Sequence, residues 1–248
     1  MDQLTSGFRD IGRGFAVLKA HPALWKWVIA PAVITLVVCA AVIAAIVALV
    51  APISGWVGGH LPGVLAHLAS SLLTIVVVVA LAICGLALFV SIAGLIAGPF
   101  NEALSERIEA RLTGQPMTPF SLREFAHGAL LALGHGIRRI LAALISLVIV
   151  FALGLIPVLG MVAAALYGAW FTSHAAAYDC YDAVLARRFL PYRSKLDFLA
   201  HHRLRTLGLG AAVTGMLLVP GLNLIALGLG AAGATVAAHA LGGDPPRR

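Results

Sequence analysis

Charge is what this chain has least of. Aspartate, glutamate, lysine and arginine make up 11% of it, where a soluble domain uses roughly one quarter to cover its surface. Between Lys26 and Glu102 there is none of them. With 61% hydrophobic residues and a mean hydropathy of +1.00, that scarcity excludes a soluble globular domain. Cysteine is scarce too, at three residues. Cys39 and Cys84 fall inside apolar segments and Cys180 at the edge of one, so buried free thiols are expected rather than a disulfide framework. The first 20 residues are charged and periodic and lack the short apolar core and cleavage site of a secretion signal. There is no G-x-S-x-G and no H-E-x-x-H, and the nine histidines show no metal-ligand spacing. No catalytic constellation can be assembled, so the chain is expected not to be an enzyme and to use no cofactor.

What charge there is lies in patches. The 17 basic residues fall into four groups. Arg9, Arg13, Lys19 and Lys26 come first, then Arg107, Arg111, Arg123, Arg138 and Arg139. Six more lie from Arg187 to Arg205, and Arg247 and Arg248 end the chain. The turns at Ala51 to Ser70, Pro157 to Gly160 and Pro220 to Asn223 hold no lysine or arginine. Basic residues stay on the cytoplasmic side of a membrane. The pattern therefore predicts a multi-pass protein of the inner (cytoplasmic) membrane with both termini cytoplasmic. A net charge of +7 confined to one face points to anionic headgroups and not to nucleic acid, at about 1 kcal/mol per basic residue near the surface. The same field gathers small anions at a mouth on that side.

Hydrophobic periodicity supplies the elements. Leu4, Phe8, Ile11, Phe15 and Leu18 recur at helical spacing, which predicts an amphipathic interfacial helix over 1–20, ended by His21-Pro22. Transmembrane helices are expected over 24–50 and 71–97, each long enough for roughly 30 Å of hydrocarbon, with an uncharged external loop between them. Gly98-Pro99-Phe100-Asn101 breaks the second span. A cytoplasmic helical region then covers 100–139, in which Ser121-Leu122-Arg123-Glu124 matches a capping box. Two helical hairpins come next, 140–178 and 207–241, broken at similar Pro/Gly turns. Their arms are short, so both can be re-entrant, with tips inside the bilayer where broken backbone must be buried or line a cavity. The fold class is thus an all-α integral membrane protein: one membrane domain with two long spans, two short broken hairpins and amphipathic cytoplasmic helices.

Several motifs have dull readings that win. Gly228-Leu229-Gly230-Ala231-Ala232-Gly233 fits G-x-G-x-x-G but has no preceding strand, so close packing through small residues is the account. His201-His202 stands in a basic, solvated run. His174 and His239 lie in apolar segments, where a satisfied interior histidine is the expectation. Asp179-Cys180-Tyr181-Asp182 marks a boundary where a helix leaves the membrane. At each hairpin tip, by contrast, a helix begins with its unpaired N–H groups and positive dipole end facing the gap. That is an arrangement suited to an anion, beside which a tight turn with no ligand remains the plain alternative.

Ile96-Ala97-Gly98-Pro99-Phe100-Asn101, followed by Leu104, Glu106, Glu109 and Ala110-Arg111-Leu112-Thr113-Gly114, resembles the signature of CysZ-type sulfate permeases, within the wider etoposide-induced-protein domain family. Pro22 with Val28-Ile29 and Pro31, Ile156-Pro157 with Gly160, and Pro220-Gly221-Leu222-Asn223-Leu224 with Gly233-Ala234-Thr235 agree. The resemblance covers nearly the whole chain. It implies two full spans and two partly inserted hairpins, assembled as a homo-oligomer that moves sulfate inward for cysteine synthesis. The family's sulfate-binding pattern has two adjacent arginines shortly after the proline that opens the first span. This chain has Trp25-Lys26 there, which keeps a point charge and loses the bidentate fork.

The expectation is an inner-membrane permease or channel for a small inorganic anion, most of all sulfate, by an uncoupled route. No ATP-binding loop is present and no charge lies mid-span to relay protons. Lys26 beside Trp25 would gather the anion, and Gly160, Gly221 and Asn223 at the tips would line its path. Glu106, Arg107 and Arg111 would form a cytoplasmic charge network that gates or holds the helices. The alternative is a non-transporting membrane scaffold that binds lipids or partner proteins.

Overall fold

The structure is a computed structural model that describes residues 2–60, 97–114, 122–188, 190–219 and 221–242. Among them the expected all-α class holds. In chain order the helices are α1 (Asp2–Ala20), α2 (Trp25–His60), α3 (97–113), α4 (Leu122–Gly154), α5 (Leu159–Leu185), α6 (Tyr192–His201), α7 (Arg203–Leu217) and α8 (Asn223–Ala240). Short 3-10 turns at Pro22–Leu24 and Ala186–Arg188 join α1 to α2 and extend α5. The predicted second span, 71–97, and the capping box at Ser121 lie outside the described residues, apart from residue 97 and the helix start at Leu122.

The chain divides into two compact units, Met1–Ile29 with Gly98–Arg248, and Ala30–Ala97. The chain leaves the first unit at Ile29 and returns to it at Gly98. Two helical stretches among the described residues are long and apolar enough to cross a membrane. They are Pro22–Ala45, with mean hydropathy 2.7, and Asn223–Ala240, with 1.3. Helix α2 runs on to His60, through Pro31 and Pro52, where a loop was expected from residue 51. No charge interrupts that stretch, and proline is tolerated in apolar helices whose freed carbonyl finds another partner.

The first unit is a bundle built around α8. Three glycines of α8 face three different neighbours. A Cβ on Gly228 would meet Val28 of α2, one on Gly230 would meet Cys180 of α5 and Val213 of α7, and one on Gly233 would meet the Asp10 backbone of α1. This is why the G-x-G-x-x-G spacing stands where it does: small residues let backbones approach where hydrocarbon gives no burial drive. Helix α1 is held the same way, with Gly7 against Arg205 and Leu209 and Gly14 against Ala232 and Gly233. Its buried face is Gly7, Asp10, Gly14 and Leu18. That face is rotated from the apolar stripe read in the sequence, and Phe8 and Phe15 stay half exposed. Tyr181, Phe198, Leu209 and Val213 fill the core between α5, α6, α7 and α8. Cys180 is a buried free thiol, as expected, and belongs to that core.

The hairpins are asymmetric. Helices α4 and α5 have 33 and 27 residues and carry a broad exposed apolar surface from Ile140 to Leu166. Helices α7 and α8 have 15 and 18 residues, and α7 at about 23 Å is shorter than the hydrocarbon. Helix α4 starts well before Arg138-Arg139 and continues through them, and the boundary acids are put to use. Arg139 pairs with Asp179 and its guanidinium lies over the Tyr178 ring. Lys195, itself buried, reaches Asp182 at 2.5 Å.

Candidate anion site

Where α1 gives way to α2, His21-Pro22 forces a turn. The residue before a proline is pushed out of helical geometry, and Pro22 suits the first position of the helical turn it opens. The turn sets Ala23, Leu24, Lys26 and Trp27 opposite Arg107, Ala110 and Arg111 of α3, around a cavity of about 320 Å³. Leu24, Val28, Leu104 and Ile108 are fully buried together behind it and fix the two elements against each other.

Trp27 organises the charges. The Arg107 guanidinium lies 3.9 Å from the centre of its ring and the Lys26 ammonium 5.7 Å, so two cations share one aromatic ring. Phe100 packs on the same indole at 5.9 Å. Arg107 also donates to the Ala103 carbonyl at 2.9 Å, which holds its side chain along α3. Among the described residues no carboxylate pairs with Lys26, Arg107 or Arg111. Three positive charges therefore line a space where no carboxylate among the described residues pairs with them, an electrostatic setting for a small anion.

The structure brings Lys26, Arg107 and Arg111 together and leaves the other expected residues elsewhere. Trp25 turns back toward α1, its ring edge-on to Phe15 at 6.1 Å, and is not part of the cavity wall. Glu106 is not part of that wall either. Glu109 links α3 to the end of α5, where Arg187 and Arg188 bind it. Gly160 is buried at the first tip, where a Cβ would overlap the Leu153 carbonyl, so its smallness serves the packing of α5 on α4. Just before it Val158 takes a φ of 63°, in the left-handed region that a β-branched residue avoids. At the second tip Gly221 has a φ of 86°. The backbone N–H of Asn223 donates to the Val219 carbonyl at 3.2 Å, so it is already used. Pro220 lies outside the described residues.

Sequence reasoning missed the long-range ion pairs. Asp10, fully buried, accepts from Arg205 at 2.6 and 2.9 Å and from Arg13 at 2.9 Å. The hydrogen bond that Arg205 donates to Asp10 is the main reason its guanidinium is held above its ordinary value. The small-residue spacing of Gly7, Asp10 and Gly14 could have shown which face of α1 is buried. Nothing local could have named a partner so distant in sequence. Of the histidines, His174 bonds the Trp170 carbonyl at 2.9 Å through Nδ1, and His239 is exposed rather than interior.

With that geometry in place, the comparisons with known proteins agree on one family. The model of the sulfate transporter CysZ/etoposide-induced protein 2.4 family matches residues 10–227, a range that contains every residue of the cavity. A protein named sulfate transporter CysZ from Pectobacterium atrosepticum is 25% identical over 240 residues, covering 94% of this chain and 84% of its own. The protein of that name from Vibrio atlanticus is 27% identical over 219 residues, with coverage of 88% and 86%. One from Pseudomonas aeruginosa is 27% identical over 238 residues, with 93% of each chain covered.

Proposed function

The chain belongs to the sulfate transporter CysZ/etoposide-induced protein 2.4 family, and on that premise we propose that it is an inner-membrane permease for sulfate. The observation that carries the assignment is the cavity at the start of α2. Lys26, Arg107 and Arg111 line it, and no carboxylate among the described residues neutralises them. A doubly charged oxyanion fits that balance better than a neutral solute or a cation. Lys26, exposed at the mouth, gathers the anion. Arg107 is held in place by Trp27, and Arg111 supplies the fork that lysine lacks.

Transport is uncoupled in this account and feeds cysteine synthesis. Both termini face the cytoplasm, the basic face lies against anionic headgroups, and the protein works as a homo-oligomer. The two hairpins enter the bilayer from the cytoplasmic side, and the shortness of α7 supports partial insertion of the second. Gly160, Gly221 and Asn223 then mark how far down the path the anion meets each tip. The relatives' names favour a transporter over the scaffold alternative, as do the three positive charges that line the cavity.

Radiolabelled sulfate uptake into proteoliposomes, with selenate and chloride as competitors, tests the assignment. Saturable uptake blocked by selenate and indifferent to chloride is expected. Absence of uptake by correctly folded protein would return the scaffold to first place.

A further inference from the structure

Arg187 and Arg188, adjacent in sequence, close the 3-10 turn after α5, and both reach one carboxylate on α3. Arg187 donates from Nη2 to Glu109 Oε2 at 2.5 Å, and Arg188 from Nη2 to Glu109 Oε1 at 3.1 Å. The same Nη2 of Arg187 donates to Ser105 Oγ at 3.1 Å, and Ser105 Oγ lies 2.9 Å from Thr235 Oγ1 of α8. The three charged side chains keep 23 to 27% of their surface exposed. Ser105 and Thr235 keep 0% and 1%. The cluster is therefore reachable from water and ends on two buried hydroxyls.

Each oxygen of the carboxylate has its own guanidinium, with a hydroxyl beside one of them. Two forks and a hydroxyl are equally suited to two oxygens of a tetrahedral oxyanion. Glu102, another acid of α3, is pushed above its ordinary value first by burial and then by Asp182. At about 100° per residue, Arg107, Ala110 and Arg111 of the first cavity lie on one face of α3, and Ser105 and Glu109 on the opposite one.

We propose that Arg187, Arg188 and Ser105 form a second oxyanion site, filled at rest by the Glu109 carboxylate, which an incoming tetrahedral dianion displaces. Glu109 then acts as a tethered plug. An anion that leaves the Lys26 cavity meets a second binding step on the other side of α3. The choice of sulfate as ligand rests on the proposed transport function; the site itself rests on the arginine geometry.

Titration calorimetry of the full-length protein in detergent tests it, with sodium sulfate against sodium chloride at matched ionic strength. In a Lys26→Ala background, Glu109→Gln should raise sulfate affinity about tenfold, since a tethered competitor is gone. Adding Arg188→Gln should abolish the gain, and chloride should show none of it. Equal or weaker sulfate binding by folded Glu109→Gln protein makes the cluster a structural ion pair and overturns the proposal. If Glu109→Gln does not fold, Glu109→Asp, too short to reach both arginines, is judged by the same gain. Wild type that binds sulfate beside a Glu109→Gln that binds no better sinks the second site alone. Silence from both sinks sulfate as the substrate, and this site with it.

Discussion

Lys26 is exposed and stands in the cavity wall without an ion pair among the described residues, so removing it should spare the fold. Lys26→Ala is expected to raise the sulfate concentration for half-maximal uptake roughly tenfold, the worth of one charge-assisted contact. The thermal midpoint of the purified protein should not move; unchanged flux would remove Lys26 from the site. Glu109 behaves in the opposite way. Burial pushes its carboxyl up, but the hydrogen bonds and charges of Arg187 and Arg188 outweigh burial and hold it below the usual 4.5. A folded value below the unfolded one means that its stabilisation is complete above the unfolded value. It is lost as pH falls through the folded one. Thermal unfolding in detergent should therefore show wild type losing stability below about pH 4.5 more steeply than Glu109→Gln. Parallel curves would mean that the Arg187–Arg188 pairing contributes nothing to the fold.

Helices in this bundle are placed by what they lack at the contact. Gly7 and Gly14 of α1 sit directly on the backbones of α7 and α8, whereas a Cβ on Gly12 of the same helix would meet nothing. Gly14→Ala should cost about 1–3 kcal/mol by overpacking, because the obstructing atoms are backbone and cannot rotate away. Gly12→Ala should be neutral or stabilise by up to about 1 kcal/mol through helix propensity alone. Unfolding midpoints of the two variants check this directly, and equal shifts would count against the docking of α1 through Gly14. At this scale the sequence was legible in part. The periodicity of α1, the break at His21-Pro22 and the turn before α5 could all be read from neighbouring residues. The rotation of the α1 face could not, because it depends on which glycines find a partner helix.

For the whole molecule the testable quantity is sidedness. The basic residues predict both termini in the cytoplasm. With the three native cysteines replaced by alanine, a cysteine at Thr5 should react with a membrane-impermeant maleimide only from the cytoplasmic side. A cysteine at Leu222, on the second tip, should resist the reagent from outside if α7 is too short to cross. Labelling at Leu222 from outside would make that hairpin a full span.

Composition by itself determined a helical membrane protein, because hydropathy acts on the chain segment by segment. The sequence also picked out Lys26, Arg107 and Arg111, each from its local setting. Only the tertiary structure decided that these three share one cavity while Trp25, Gly160, Gly221 and Asn223 stand apart. It likewise showed that Glu109 joins α3 to the end of α5, and that Asp10 is buried against Arg205. Those pairings depend on which helix faces meet across the bundle, and a contact between residues far apart in the chain leaves no periodic trace in either segment.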